Sequence, residues 1–186
     1  MTRPLRKDAA ERREALLKAA AEAFARDGLD TPLHVIAERA GVGRATLYRN
    51  FADRSELAVA VFVGQIDDLG QRTKERLDDP EVFLWFLGQM VELMIQSAGL
   101  STAIRDLRDE ALAPIRTGLK RAGAEALAVS QAAGRVRPDL SVEDTRVIAL
   151  MLGAPSRTVG AQDRDQLSRR ALELMLDAVR PQGRAA

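Results

Sequence analysis

Residues 81–96 read EVFLWFLGQMVELMIQ, and wound as an α-helix this segment is apolar on nearly every side; after its start only Gln89, Glu92 and Gln96 are polar. Such a helix has no face to give to water, so it must be surrounded by other helices. That requirement commits the chain to a multi-helix core. The segment is too short and too interrupted to span a bilayer, and no run elsewhere approaches the roughly 18 apolar residues a span needs. Asp78-Asp79-Pro80 sets its start, because proline disfavours helical geometry in the residue before it.

Composition agrees with an all-α reading. Hydrophobic residues make up 46% and charged residues 30%, while aromatics are only 4% and β-branched runs are few. The absence of cysteine excludes disulfides, thiol nucleophiles and thiolate metal sites. His34 is the one histidine and has no set of metal ligands or catalytic partners around it, so its reading is a phosphate contact or a solvated side chain. No Gly-rich phosphate loop and no carboxylate pair spaced for acid–base work occur, so neither metal, cofactor nor catalysis is expected. The N-terminal MTRPLRKDAAERRE carries no apolar signal core, and the expected location is cytoplasmic.

Periodicity predicts about nine helices. The first runs from Asp8 to Arg26, with Leu16, Ala20, Ala23 and Phe24 on one face and Gly28 as its stop. Thr31-Pro32 predicts a capped second helix to Ala40, and a third runs from Arg44 to Asn50. Asp53 and Glu56 form a capping-box pattern that opens a fourth, running past Gly64 toward Arg76. Helices then follow over 81–96, over 101–113 (closed by Pro114), from Ile115 to Gly134, from the Ser141–Asp144 cap to Gly153, and from Asp163 to Val179. The last has two apolar stripes: Leu167, Ala171, Leu174 and Ala178 form one, and Leu172, Met175, Leu176 and Val179 the other. One stripe satisfies a protomer's own core; the candidate face for a two-fold partner is the one with Leu167, Ala171, Leu174 and Ala178, together with Ile148 and Met151 on the helix before it.

Residues 33–51 have the plan of a helix-turn-helix. Ile36, Ala37 and Ala40 line the inside of its first helix, Gly41 suits the turn, and Val42, Leu47 and Phe51 close a small core. With Leu47 buried, the third helix turns Ala45, Thr46, Tyr48 and Arg49 outward, with Arg44 at its start. This is also the basic part of the chain: residues 1–54 hold 11 Lys and Arg against 8 Asp and Glu, and the remainder 17 against 19.

Residues 12–62 resemble the DNA-binding domain of the TetR family of bacterial transcriptional regulators. The resemblance rests on the Phe24/Gly28 helix end, the IAERAGV turn, the TLYRNF helix and the charged cap before the fourth helix. It implies an N-terminal DNA-binding domain over residues 1–54 and a larger ligand-binding and dimerisation domain over 55–186, joined by the fourth helix. It implies that Arg44, Ala45 and Arg49 meet bases or phosphates in the major groove. Thr46 and Tyr48 would bond phosphates, and Thr31 would approach the backbone. Arg54 matches a usual cation at a helix start, beside amides that favour phosphate. Arg3, Arg6 and Lys7 match a minor-groove arm of some relatives. Gly43 departs from the frequent Ser or Thr cap, and Val35 from a commonly polar position.

In the C-terminal part, Phe83, Phe86, Met90 and Met94 lie on the central helix where family members keep their pocket. Arg105 and Arg108 are its candidate polar groups. The expected function is a homodimeric repressor of a palindromic operator in double-stranded DNA, released by a small-molecule effector. The competing readings are a helical small-molecule-binding or enzymatic protein whose helix-turn-helix is only structural, and an activator or ligand-independent regulator.

Overall fold

The structure, a computed structural model, describes residues 3–97, 100, 110–155 and 161–181, with backbone only for 3–7 and 161–162. Among them the chain forms eight helices and no strand. They are α1 (Arg3–Asp27), α2 (Leu33–Arg39), α3 (Arg44–Asn50), α4 (Arg54–Lys74), α5 (Val82–Gln96), α6 (Ala113–Ala132), α7 (Asp144–Leu152) and α8 (Ala161–Val179). The all-α expectation holds. Most of the helix expected over 101–113, including Arg105 and Arg108, lies outside the described residues.

Helix boundaries follow local chemistry, with three differences from expectation. First, α1 begins at Arg3, so Arg3, Arg6 and Lys7 are on helical backbone and not on an extended arm. Second, Pro114 was expected to close one helix and instead sits in the first turn of α6, where its missing N–H leaves no intrahelical bond unmade. Third, Thr31 does not cap α2: the cap residue is Pro32, and the Thr31 hydroxyl donates back to Gly28 O at 2.9 Å.

The capping box at α4 is present. Asp53 Oδ1 accepts the Glu56 N–H at 2.8 Å, and Glu56 Oε2 accepts the Ala52 N–H at 2.6 Å. At the other end of the motif, Gly41 has φ 67°, its N–H donates to Glu38 O, and the Val42 N–H donates to Ala37 O. These two bonds satisfy the last carbonyls of α2 in a Schellman arrangement that only a left-handed residue allows.

The chain divides into two compact units. One holds residues 1–64 with the described residues of 99–112; the other holds 65–98 and 113–186. Residues of α4 fall in both units, and the helix runs past the exposed Gly64 as expected. In the first unit Leu16, Ala20 and Phe24 of α1, Ile36 of α2, Leu47 of α3, Phe51 and Leu57 make the core.

In the second unit α5 is central, as its all-round apolar surface requires: Val82, Phe83, Phe86, Leu87, Met90 and Val91 are all buried. Its start lacks a side-chain cap, but the Phe83 N–H donates to the buried Ser130 Oγ of α6 at 3.0 Å. One otherwise orphaned first-turn donor is thereby satisfied. Helices α4 and α6 approach closely: a Cβ on Gly118 would lie 3.1 Å from Ile66 Cγ2, and one on Gly70 3.2 Å from Ala122 Cβ.

Candidate nucleic-acid interface

Helix α3 has only seven residues and no side-chain cap, since Gly43 stands at the cap position. A helix this short does not persist alone in water. It is held by its inner side: Leu47 and Phe51 are sealed in the core of the first unit, and the Arg13 guanidinium lies 5.2 Å over the Phe51 ring.

Of the set expected to face outward, Thr46 is half-buried and the others are exposed. Arg44, Ala45, Tyr48 and Arg49 are exposed, Tyr48 to 56%. Arg44 makes no hydrogen bond or ion pair among the described residues. Arg49 Nη2 donates to Thr46 Oγ1 at 2.9 Å, and Asn50 Nδ2 donates to Thr46 O at 2.8 Å. A hydroxyl carries one proton and two lone pairs. Accepting from Arg49 therefore leaves the Thr46 O–H able to donate to a phosphate oxygen, while it also preorients the guanidinium. An open groove of about 430 Å³ between α1 and the α2–α3 turn reaches Thr46 from the other side, with Asp8, Glu11 and Arg12 on its rim.

Two expected contacts are placed differently. Thr31 is buried, with its hydroxyl engaged by Gly28 O, so it offers no group to DNA in this arrangement. Arg54 reaches inward: Nη1 donates to Leu29 O and, at 2.7 Å, to Thr31 O. His34 is exposed on α2. Nearby, Asp27 accepts from Arg26 and pairs with Arg39 Nη1 at 2.8 Å, tying the end of α1 to the end of α2. The hydrogen bonds from Arg26 and then Arg39 lower the Asp27 pKa to about 2, so the carboxylate stays ionised at neutral pH. Among the arginines of this unit, Arg13, Arg39 and Arg54 make contacts within it, while Arg44 and Arg49 face out.

In the second unit, Phe83, Phe86 and Met90 are fully buried, with the two rings stacked at a centroid distance of 6.1 Å; Met94 is half-buried. On α8 the stripe that faces the core contains Ser168, Met175 and Val179, flanked by half-buried Leu172 and Leu176. The stripe with Leu167, Leu174 and Ala178 is exposed, with Ala171 half-buried beside it. On α7, Met151 is exposed together with Val147 and Leu150. Ile148 differs from expectation: it is buried within the protomer, because Thr145, Ile148, Ala149 and Leu152 form the inward side of that helix.

Among the described residues three buried side-chain polar atoms have no hydrogen-bond partner. They are Thr145 Oγ1, Arg164 Nε and Ser168 Oγ, all on α7 and α8. Sequence reasoning missed them, as it missed the Arg54, Asp27–Arg39 and Arg13–Phe51 contacts. The Arg49–Thr46 and Asn50–Thr46 bonds, three and four residues apart on α3, have a signal in the spacing.

Residues 16–61 match the model for bacterial regulatory proteins of the tetR family. Residues 79–181 match the model for the C-terminal domain of SbtR-like transcriptional regulators, which alone spans more than half the chain. The chain belongs to the TetR family of transcriptional regulators. Among solved TetR-family structures, the regulatory protein from Mycobacterium vanbaalenii is 30% identical, with 96% of this chain and 100% of that one covered at a TM-score of 0.63. The Thermus thermophilus FadR repressor, solved with lauroyl-CoA, shares the fold: 19% identity, 94% and 98% coverage, TM-score 0.66. An HTH-type transcriptional regulator of Staphylococcus aureus strain USA300 is 34% identical over 76 residues, which is 40% of this chain and 41% of that protein. The match thus spans about two fifths of that curated relative. In this TetR-family chain the first matched segment lies within the first compact unit, and the second begins within a few residues of the start of α5.

Proposed function

We propose that this chain is a homodimeric repressor that binds a palindromic operator and releases it when a small molecule enters the C-terminal core. The outward face of α3 carries the DNA reading: a helix too short to stand alone is seated by two buried residues and spends its other side on two arginines, a hydroxyl and a phenol. In a major groove, Arg44 and Arg49 would meet phosphate or guanine edges, and Ala45 a thymine methyl. Thr46 and Tyr48 would hold phosphates and set register.

A gel shift with the DNA upstream of the chain's own gene tests this. Arg49→Ala should weaken binding by about 1–3 kcal/mol, roughly ten- to a hundredfold, and relax sequence preference. Undiminished binding by that variant counts against the assignment.

For the effector, the fully buried Phe83, Phe86 and Met90 offer an apolar wall, and the hydroxyls of Thr145 and Ser168, without a partner among the described residues, offer polar handles. The FadR fold relative was solved in complex with lauroyl-CoA, which favours the small-molecule reading. Burying a hydroxyl without a partner costs about 1–3 kcal/mol. Thr145→Val keeps the shape and removes that cost. It should therefore raise the melting midpoint of the ligand-free protein by a few degrees, on the order of 2–4 °C per kcal/mol at this size. Scanning calorimetry checks it, and a lowered midpoint would mean the hydroxyl is paired. The exposed stripe of α8, with Met151, Val147 and Leu150 of α7, would bury itself against a second copy.

A further inference from the structure

Arg54 stands at the first position of α4, where the sequence alone suggests a phosphate ligand. One nitrogen of its guanidinium is already committed. That nitrogen, Nη1, donates to two backbone carbonyls of the α1–α2 connection, Leu29 O and Thr31 O, across more than twenty residues of chain. The connection is itself folded tightly: Gly28 has φ 80°, and both the hydroxyl and the N–H of Thr31 return to Gly28 O. Asp27, just before it, bridges to Arg39 at the far end of α2.

We propose that Arg54 is a positioning residue for the DNA-contacting helix and not a phosphate ligand. This rests on the reading of α3 as that helix. The physical chain is short. Charge-assisted hydrogen bonds from a planar guanidinium are stronger and more directional than neutral ones. They fix the Leu29 and Thr31 carbonyls to the start of α4. Thr31 is two residues from α2, and α2 leads through the Gly41 turn into α3. Without the clamp, α2 loses its anchor at the N-terminal end, and the outward side chains of α3 lose their register.

Salt dependence separates positioning from phosphate contact. Binding of the upstream duplex is measured between about 50 and 200 mM salt for the parent protein, Arg54→Met and Arg44→Ala; each lost phosphate contact makes the log–log slope shallower by about 0.9. Arg54→Met, which keeps the aliphatic stem, is expected to bind about tenfold more weakly at every salt concentration with the parent's slope. Arg44→Ala is expected to show the shallower slope. Amide hydrogen exchange without DNA gives a second readout: Arg54→Met should accelerate exchange in α2 and α3, and Arg44→Ala should not. A shallower slope for Arg54→Met, or unchanged affinity with unchanged exchange, overturns the assignment. No binding by the parent protein overturns the DNA reading instead, and the exchange result then decides whether Arg54 holds the motif together.

Discussion

Replacing Leu47 by alanine should abolish DNA binding and lower the stability of the first unit by about 2–5 kcal/mol, the usual cost of emptying a buried leucine site. Leu47 is 0% exposed and is the one fully buried side chain within α3. Its neighbours on that helix face outward or lie at the rim, so no other side chain within α3 moves in to fill the space. A seven-residue helix with a glycine cap has little stability of its own, and Phe51 alone would hold only its C-terminal end. Urea unfolding and a gel shift measure the two effects. Ala45→Ser, on the outer face, is the control: its stability should stay within about 0.5 kcal/mol of the parent. Retention of full binding by Leu47→Ala would mean that α3 is seated by something other than its buried edge.

The second large effect is expected at the exposed stripe of α8. Leu174 is 55% exposed and Met151 56%, large apolar side chains that water would otherwise meet directly. Leu174→Arg should leave the protomer folded, because a surface change costs it little. In a two-fold interface the same change places two unpaired cations in an apolar contact, a loss of about 3–5 kcal/mol for each uncompensated buried charge. The dimer should dissociate at micromolar protein. Operator affinity should then fall by a factor of about 10²–10⁴, because the second half-site is no longer bound at high effective concentration. Sedimentation equilibrium and a gel shift read the two outcomes, and circular dichroism confirms the fold. An unchanged oligomeric state would remove this face from the proposed interface.

These two expectations differ in how far the sequence alone supports them. Leu47 and Phe51 are four residues apart beside a Gly-containing turn, and helical period makes their shared side readable. The α8 face was readable only as one of two candidates, since both stripes have the same spacing and similar apolar content. Ile148 shows the same ambiguity on α7, where consecutive apolar residues cover both sides and packing alone turns Ile148 inward and Met151 out.

The sequence by itself determined what depends on neighbours within about one helical turn. It set the all-α class, the Gly41 turn with its positive φ, the Asp53–Glu56 cap, and the outward placing of Arg44, Ala45, Tyr48 and Arg49, though not of the half-buried Thr46. These follow from backbone angles and from a period of 3.6 residues, which are local properties. Only the tertiary structure decided where long or ambiguous groups end. A guanidinium at the start of α4 serves phosphate or backbone carbonyls equally well by its chemistry; the α1–α2 connection, brought beside it by the fold, takes up Arg54 Nη1. Thr31 is a good cap by composition, yet the turn at Gly28 takes its hydroxyl first. The unpaired Thr145 and Ser168 hydroxyls have no sequence signature, because whether a donor finds a partner depends on packing between helices far apart in the chain.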